Sequence, residues 1–209
     1  MTIPSILKIR ELNVEDLFQI AEVHKNAFPD SALTKLGFEP IRRYYEWQLI
    51  GPHDCHATGA FDEQVLVGFC FAGSFNGALN GYLNKNKYYL FFWILSHPWL
   101  IGNELVRDRI SIAFRSLAKK KSNRKNVAVF KPKSLGILSI AVYPTKQGCG
   151  IGKLLMDEFE VYAKQKGSHE IDLTVHKSNS IAVRFYENLG WVREVDSLGN
   201  WSGLMRKSI

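Results

Sequence analysis

The residues best suited to chemistry are Gln147-Gly148-Cys149-Gly150-Ile151-Gly152-Lys153. Three glycines within five positions let a backbone bend tightly and approach a ligand closely. An apolar stripe begins at once: Ile151, Leu154, Leu155, Phe159 and Tyr162 fall at helical spacing, while Lys153, Asp157, Glu160 and Lys164 lie off it. The glycines therefore lead into a helix. The first turn of a helix has amide N–H groups without intrahelical partners, at the positive end of the dipole, and so suits a phosphate. The spacing is not that of a Walker A loop, since no Gly-Lys-Ser/Thr follows, and the GxGxxG dinucleotide fingerprint is absent. On this stretch alone, a phosphate-binding turn and a purely structural one both fit. Cys149 needs no role beyond small filler.

The elements around this turn must position it. Leu135 to Val142 is an apolar run of strand length, ended by Pro144. Upstream, Ile6 to Leu12 reads as a strand and Asn13 caps a helix running to Phe28, where Pro29-Asp30-Ser31 breaks it. Leu33 to Ile50 reads as helix in two pieces, divided by Gly37 and Pro40. Ala57 to Phe61 and Val65 to Ala72 read as a hairpin. Gly73 to Asn86, rich in Gly and Asn, reads as a loop. The aromatic run Tyr88 to Leu95, interrupted by Pro98 before Trp99-Leu100-Ile101, is shorter than the ~20 residues a transmembrane helix needs. Glu104 to Lys120 reads as helix and Lys119 to Lys133 as a basic loop. Downstream come a strand, Glu170 to Val175, and a short helix, Asn179 to Leu189, which Gly190 ends. A hairpin of Trp191 to Val195 and Trp201 to Arg206 closes the chain. Early strands are antiparallel and later ones parallel through helices, which predicts a mixed sheet.

The 209 residues, 46% of them apolar, suit one domain with an insertion or at most two small ones. Cys55, Cys70 and Cys149 have no metal-ligand or disulfide spacing, so no metal is expected and a reducing cytosol is. The N-terminal stretch lacks the apolar core of a signal peptide. Charge is uneven. Between Ser74 and Lys133, twelve Lys and Arg face only Glu104 and Asp108, a net +10, whereas the whole chain carries +7. Any basic partner surface belongs to that middle segment.

A second signature lies one strand beyond the glycine turn: Asn179-Ser180-Ile181-Ala182-Val183-Arg184-Phe185-Tyr186-Glu187-Asn188-Leu189-Gly190-Trp191. Together the two resemble the GNAT superfamily of acyl-CoA-dependent N-acetyltransferases. In that family a Q/R-x-x-G-x-G/A turn follows the fourth strand and N-x-x-A-x-x-F-Y-x-x-L-G-F follows the fifth. Gln147, Gly150 and Gly152 satisfy the first pattern. Asn179, Ala182, Phe185, Tyr186, Leu189 and Gly190 satisfy the second, with Trp191 in place of Phe. The close match covers Leu135 to Trp191. The resemblance implies an α/β, three-layer fold, with a mixed sheet of six to seven strands flanked by helices. About sixty residues separate the third and fourth strands, far more than a usual connection, which predicts a helical insertion at about 74–133.

The resemblance also implies roles, with acetyl-CoA as cofactor. Backbone amides of Gln147, Gly148, Cys149, Gly150, Ile151, Gly152 and Lys153 would hold the pyrophosphate of coenzyme A. The edge of the fourth strand at Ile140, Ala141 and Val142 would pair with the pantetheine arm. Asn179 would hydrogen-bond that arm, and Ala182, Phe185 and Tyr186 would line it. Tyr186 would be the general acid for the departing thiolate, chemistry a phenol can perform. The Lys153 side chain fits a place near a phosphate and a solvated helix face equally. Many relatives place a Glu base on the fourth strand; this strand has no acid and only Ser139 as a polar group. Candidate bases elsewhere are His24, Asp30, His97 and His176, or a water chain.

The expected acceptor is a small-molecule primary amine, and an amino sugar is the specific expectation. Three readings compete for the insertion: a lid over the acceptor, two helices packed on the sheet, or an interfacial element. In the last, Phe91, Phe92, Trp93 and Trp99 would enter lipid while Lys85, Lys87, Arg107, Arg109 and Arg115 would meet anionic head groups. The expected location is cytoplasmic, at the inner membrane face under that last reading. A non-catalytic acetyl-CoA sensor is the alternative to an enzyme. Nucleic-acid binding has only the basic insertion in its favour. Monomer and homodimer are both compatible with the sequence.

Overall fold

A computed structural model describes residues 7–75, 78–108, 111 and 135–209. Seven strands form one mixed sheet: β1 (Leu7–Glu11), β2 (Asp54–Asp62), β3 (Val65–Ser74), β4 (Leu135–Val142), β5 (Glu170–Thr174), β6 (Val192–Val195) and β7 (Trp201–Ser208). Their order across the sheet is β1-β2-β3-β4-β5-β7-β6, and among the described residues β4 with β5 is the one parallel pair. A parallel pair needs a crossover, and the helix α5 (Ile151–Gln165) supplies it.

The helices divide between the two faces. On one, α1 (Leu17–Ala27) and α3 (Phe38–Ile50) press Ile20, Ala21, Ile41 and Tyr45 onto Phe61, Phe69 and Phe71 of the hairpin. On the other, α5 and α6 (Ser180–Asn188) cover Cys70, Leu135, Ile171 and Met205. Ile151, Leu155, Phe159 and Ala163 recur every fourth position on α5 and are fully buried. A buried Leu or Phe contributes about 1.5–3 kcal/mol, enough to hold the helix and its preceding turn at the end of β4. The short α2 (Ala32–Leu36) starts on Ser31, whose Oγ accepts from Thr34 N at 3.0 Å. Gly37 separates it from α3, as the spacing of glycine and proline predicts.

One expectation fails. Residues 78–86 are not loop but the first half of α4 (Ala78–Ser96). Local propensity argues against helix here, yet tertiary contact overrides it. Gly81 lies against the Trp47 ring, so close that a Cβ would stand 2.4 Å from Cζ2. Trp47 Nε1 donates to Ala78 O at 2.7 Å, and Tyr44 and Tyr82 rings meet at 5.5 Å. The glycine that looked like a loop residue lets α4 dock on α3. Residues 104–108 are helical; the basic stretch expected as loop, 119–133, lies outside the described residues.

Candidate functional site

The sheet opens at one place. β4 and β5 pair at Leu135–Ile171, Gly136–Asp172 and Ile137–Leu173, and then part. From Leu138 to Val142 the edge of β4 facing β5 has no strand partner among the described residues, while its other edge continues on β3. The parting coincides with a bulge. Ala72 opposes Ile137 and Phe71 opposes Ser139, so Leu138 is the extra residue. A bulge re-aims side chains. Leu138 and Ser139 accordingly both face the α1/α3 side: Leu138 packs in that core and Ser139 Oγ meets Tyr45 Oη at 3.0 Å. Ile140 and Val142 face the α5/α6 side, and Ala141 faces α1 and α3. An extended amide chain could hydrogen-bond along this bare edge.

The glycine turn sits where β4 ends. Gly148 and Gly150 have φ of 78° and 81°, and a Cβ at either would meet nothing within 4 Å. They are required by backbone conformation, not by crowding. Gly150 is the N-cap of α5, without a side-chain cap and with no acid in the first turn. Leu154 N bonds to Gly150 O, the first bond of the helix. No described acceptor meets the N–H groups from Gly148 to Lys153, and residues 147–150 are exposed. Gln147 Nε2 donates to Val142 O at 3.1 Å and ties the turn to the strand. Cys149 is exposed, its Sγ 3.8 Å from Gln147 O. The Lys153 ammonium pairs with Asp157 at 2.6 Å, along the solvent face of α5. The donors at this turn are thus main-chain amides, a cluster able to grip a diphosphate.

α6 is adjacent to the turn. Asn179 caps it, Oδ1 accepting from Ala182 N at 3.1 Å, which leaves the exposed amide Nδ2 facing solvent. The Phe185 ring lies against the start of α5, 3.2 Å from where a Cβ on Gly152 would be. Gly152 therefore serves packing where Gly148 and Gly150 serve conformation. Tyr186 is buried, with its ring 5.3 Å from Phe185 and 6.1 Å from Trp191. Burial pushes its phenol well above the ordinary range, with nearby Cys70 adding to the shift. Such a phenol keeps its proton and can donate it in a hydrogen bond.

Four candidate bases separate clearly. Asp30 is exposed and pairs with Lys35 at 3.1 Å. His176 is exposed and meets Ser178 Oγ at 2.7 Å. His97 stacks on Trp93 at 4.3 Å, beyond the end of α4. Only His24 connects to β4. It is buried, its Nδ1 lies 2.8 Å from Tyr45 Oη, and Tyr45 Oη reaches Ser139. Burial alone pushes His24 down from 6.5 to about 4. Tyr45 escapes a reading of the sequence because it looks like any apolar-stripe tyrosine of α3. Its partner Ser139 is 94 positions away.

α4 presents a separate face. Tyr88, Phe91, Phe92 and Leu95 recur at helical spacing and are exposed, as are Trp99 and Ile101 beyond them. Lys85, Lys87 and Arg107 are exposed nearby. Among the described residues, no helix is long and apolar enough to cross a membrane, and no group of His, Cys, Asp and Glu could hold a metal ion.

Comparison with known proteins gives the family. The ribosomal protein bS18 alanine N-acetyltransferase of Haemophilus influenzae is 44% identical over 66 residues, which cover 31% of this chain and 43% of that protein. The match thus spans less than half of that relative's length. The crystal structure of the PaiA N-acetyltransferase from Thermoplasma acidophilum in complex with coenzyme A is similar in fold. Its TM-score is 0.56 at 20% identity, covering 97% of this chain and 99% of that one. The ribosomal-protein-S18-alanine N-acetyltransferase from Escherichia coli gives a TM-score of 0.56 at 14% identity, covering 98% and 94%. At these identities the structures speak for the fold alone. The family model for acetyltransferases (GNAT) matches residues 17–191, which takes in the opened edge of β4, the uncapped glycine turn and α6. The chain belongs to the acetyltransferase (GNAT) family.

Proposed function

We propose that this protein moves the acetyl group of acetyl-CoA onto a primary amine. The observation that carries the reading is a juxtaposition. A strand edge without a partner, Ile140 to Val142, runs directly into unbonded amides from Gly148 to Lys153. The amides hold the pyrophosphate, the strand edge holds the pantetheine, and Asn179, Ala182 and Phe185 line the arm from α6. Gln147 steadies the turn through Val142. Acetyl-CoA supplies a thioester carbonyl that a neutral amine can attack. Tyr186 donates to the departing sulfur, and much of the acceleration comes from proximity, since both reactants are held at one opening in the sheet.

Two acceptor classes have specific support. The Haemophilus influenzae relative named for ribosomal protein bS18 alanine favours an alanine amine of a protein chain. A small-molecule amine such as an amino sugar is the second reading, in which α4, docked beside α2 and α3, walls the acceptor. Trp93 Nε1 donates to Leu36 O at 2.9 Å, and the Arg43 guanidinium lies 4.0 Å from the Tyr89 ring. Thiol release with acetyl-CoA and a panel of alanine-initiated peptides, amino sugars and polyamines decides between them. Turnover on one class is the expected result. Cofactor binding without thiol release on any acceptor would make the protein an acetyl-CoA sensor.

The exposed stripe of α4 rests on an anionic bilayer surface in this reading, its aromatics at the head-group level and Lys87 facing anionic lipid, while the Lys85 ammonium lies 5.3 Å over the Trp47 ring and Arg107 is shared with Glu104 at 3.8 Å. On this reading the enzyme would work in the cytoplasm, peripheral to the inner membrane face. Co-sedimentation with phosphatidylserine-containing vesicles at low salt is expected; protein left wholly in the supernatant removes the membrane from the account.

A further inference from the structure

We infer that Ser139, Tyr45, His24 and Ser31 form a proton relay that drains the acceptor amine from the opening in the sheet to solvent. The inference rests on the transferase reading above. β4 carries no acid at the opening, so a proton leaving the amine needs another route. The structure has one continuous chain of hydrogen bonds there. Ser139 Oγ is 3.0 Å from Tyr45 Oη, Tyr45 Oη is 2.8 Å from His24 Nδ1, and His24 Nε2 is 3.2 Å from Ser31 Oγ. Ser139 is half-buried two residues beyond the last β4–β5 pair, and Ser31 is half-buried at the start of α2. The middle of the chain is sealed: Tyr45 is fully buried and His24 nearly so. The string satisfies each buried group through its neighbours and at the same time joins two half-buried ends through the core.

The direction of transfer follows from the donor and acceptor count. With the His24 proton on Nε2, that N–H donates to Ser31, and Nδ1 accepts from the Tyr45 hydroxyl. Tyr45 Oη in turn accepts from the Ser139 hydroxyl. A lone pair on Ser139 Oγ then faces the amine. As the amine lone pair forms the C–N bond, the C–S bonding pair leaves with sulfur. The amine proton passes to Ser139, that of Ser139 to Tyr45, that of Tyr45 to His24 Nδ1, that of His24 Nε2 to Ser31 Oγ, and that of Ser31 to half-buried Thr34 Oγ1, 3.0 Å away, and from there to water. Sulfur takes one proton from Tyr186, which solvent replaces, so one proton enters for each that leaves. Hydroxyl rotation and tautomer exchange at His24 reset the chain.

The surroundings suit passage and not storage. α3 offers His24 the Tyr45 hydroxyl, the chain after α1 offers Ser31 and the Phe28 ring at 4.9 Å, and Asp30 is already paired with Lys35 at the surface. No charged group stabilises an imidazolium, so the ring hands a proton on without holding it. His24, Tyr45 and Ser31 act through Ser139 and are positioning residues; Ser139 is the group that meets the substrate.

The test uses acetyl-CoA with whichever acceptor the wild type turns over, beginning with an alanine-initiated peptide. Ser139→Ala and Tyr45→Phe should each lower kcat at least about a hundredfold, the low end of general-base contributions, with KM for acetyl-CoA unchanged. Ser139→Thr, which keeps the hydroxyl, should stay within about twofold of wild type on the same scale. In mixed H2O/D2O the wild-type rate should curve with deuterium fraction, as for several protons in flight, and Ser139→Ala should flatten the curve. Melting temperature and acetyl-CoA affinity report whether each variant is folded, and half-buried Ser139 keeps the test available if Tyr45→Phe is unstable. Wild-type kcat and pH profile in both variants would overturn the relay alone. So would a fall in kcat matched by loss of acetyl-CoA affinity, the mark of a merely structural role. No turnover by the wild type on any acceptor would overturn the transferase reading and the relay with it.

Discussion

Acidification should destabilise this protein through His24 before it touches the carboxylates. Burial pushes His24 from 6.5 to about 4, so the native state declines a proton that the unfolded chain accepts. A depressed histidine contributes stability that is complete above its unfolded value and is lost as pH falls towards its folded value. The window is therefore about pH 6.5 down to about 4. Each unit is worth about 1.4 kcal/mol, so the whole span is worth about 3 kcal/mol and the loss by about pH 5 is about 2 kcal/mol. For a chain of this size that corresponds to about 4–8 °C in melting temperature. Asp16 and Glu39, held below the ordinary carboxylate range by hydrogen bonds from Arg10 and Arg42, lose their contribution only at lower pH. His56, also lowered by burial, acts in the same direction as His24. The measurement that isolates His24 is therefore a difference. Melting temperatures of wild type and His24→Gln are followed by circular dichroism from pH 7 to pH 5. The wild type should lose about 4–8 °C more than the variant over that interval. Parallel curves would refute the argument, since they would mean that His24 is charged or solvated in the native state.

Three further outcomes follow from the geometry. Gly150→Ala puts a Cβ on a residue at φ 81°, a conformation costing L-residues about 1–2 kcal/mol, and nothing nearby offsets it. Relaxation of the turn should weaken coenzyme A binding about tenfold in a calorimetric titration, and unchanged affinity would remove the amides from the site. Tyr186→Phe should cut turnover and leave cofactor affinity nearly unchanged; equal rates would reduce Tyr186 to packing. Gly81→Val forces a side chain into the Trp47 ring, 2.4 Å from the ideal Cβ. It should destabilise the docked α4 by about 1–3 kcal/mol, read as a lower melting temperature.

The sequence by itself determined the unit from β4 to α6. Its strand, glycine turn and amphipathic helix follow from local rules: alternation, backbone freedom at Gly148 and Gly150, and the four-residue recurrence of Ile151, Leu155 and Phe159. The hairpin, the two-piece helix before it and the Asn13 cap were legible for the same reason, because each is specified by neighbours in the chain. Tertiary structure alone decided what depends on distant partners. The first half of α4 is helical because Gly81 fits against Trp47, which no local propensity encodes. The parting of β4 from β5 is a matter of register, set by the Leu138 bulge against β3. The missing base is the clearest case. Four candidates looked alike in sequence, and only packing links His24 through Tyr45 to Ser139, because hydrogen bonds join side chains that the chain itself holds far apart.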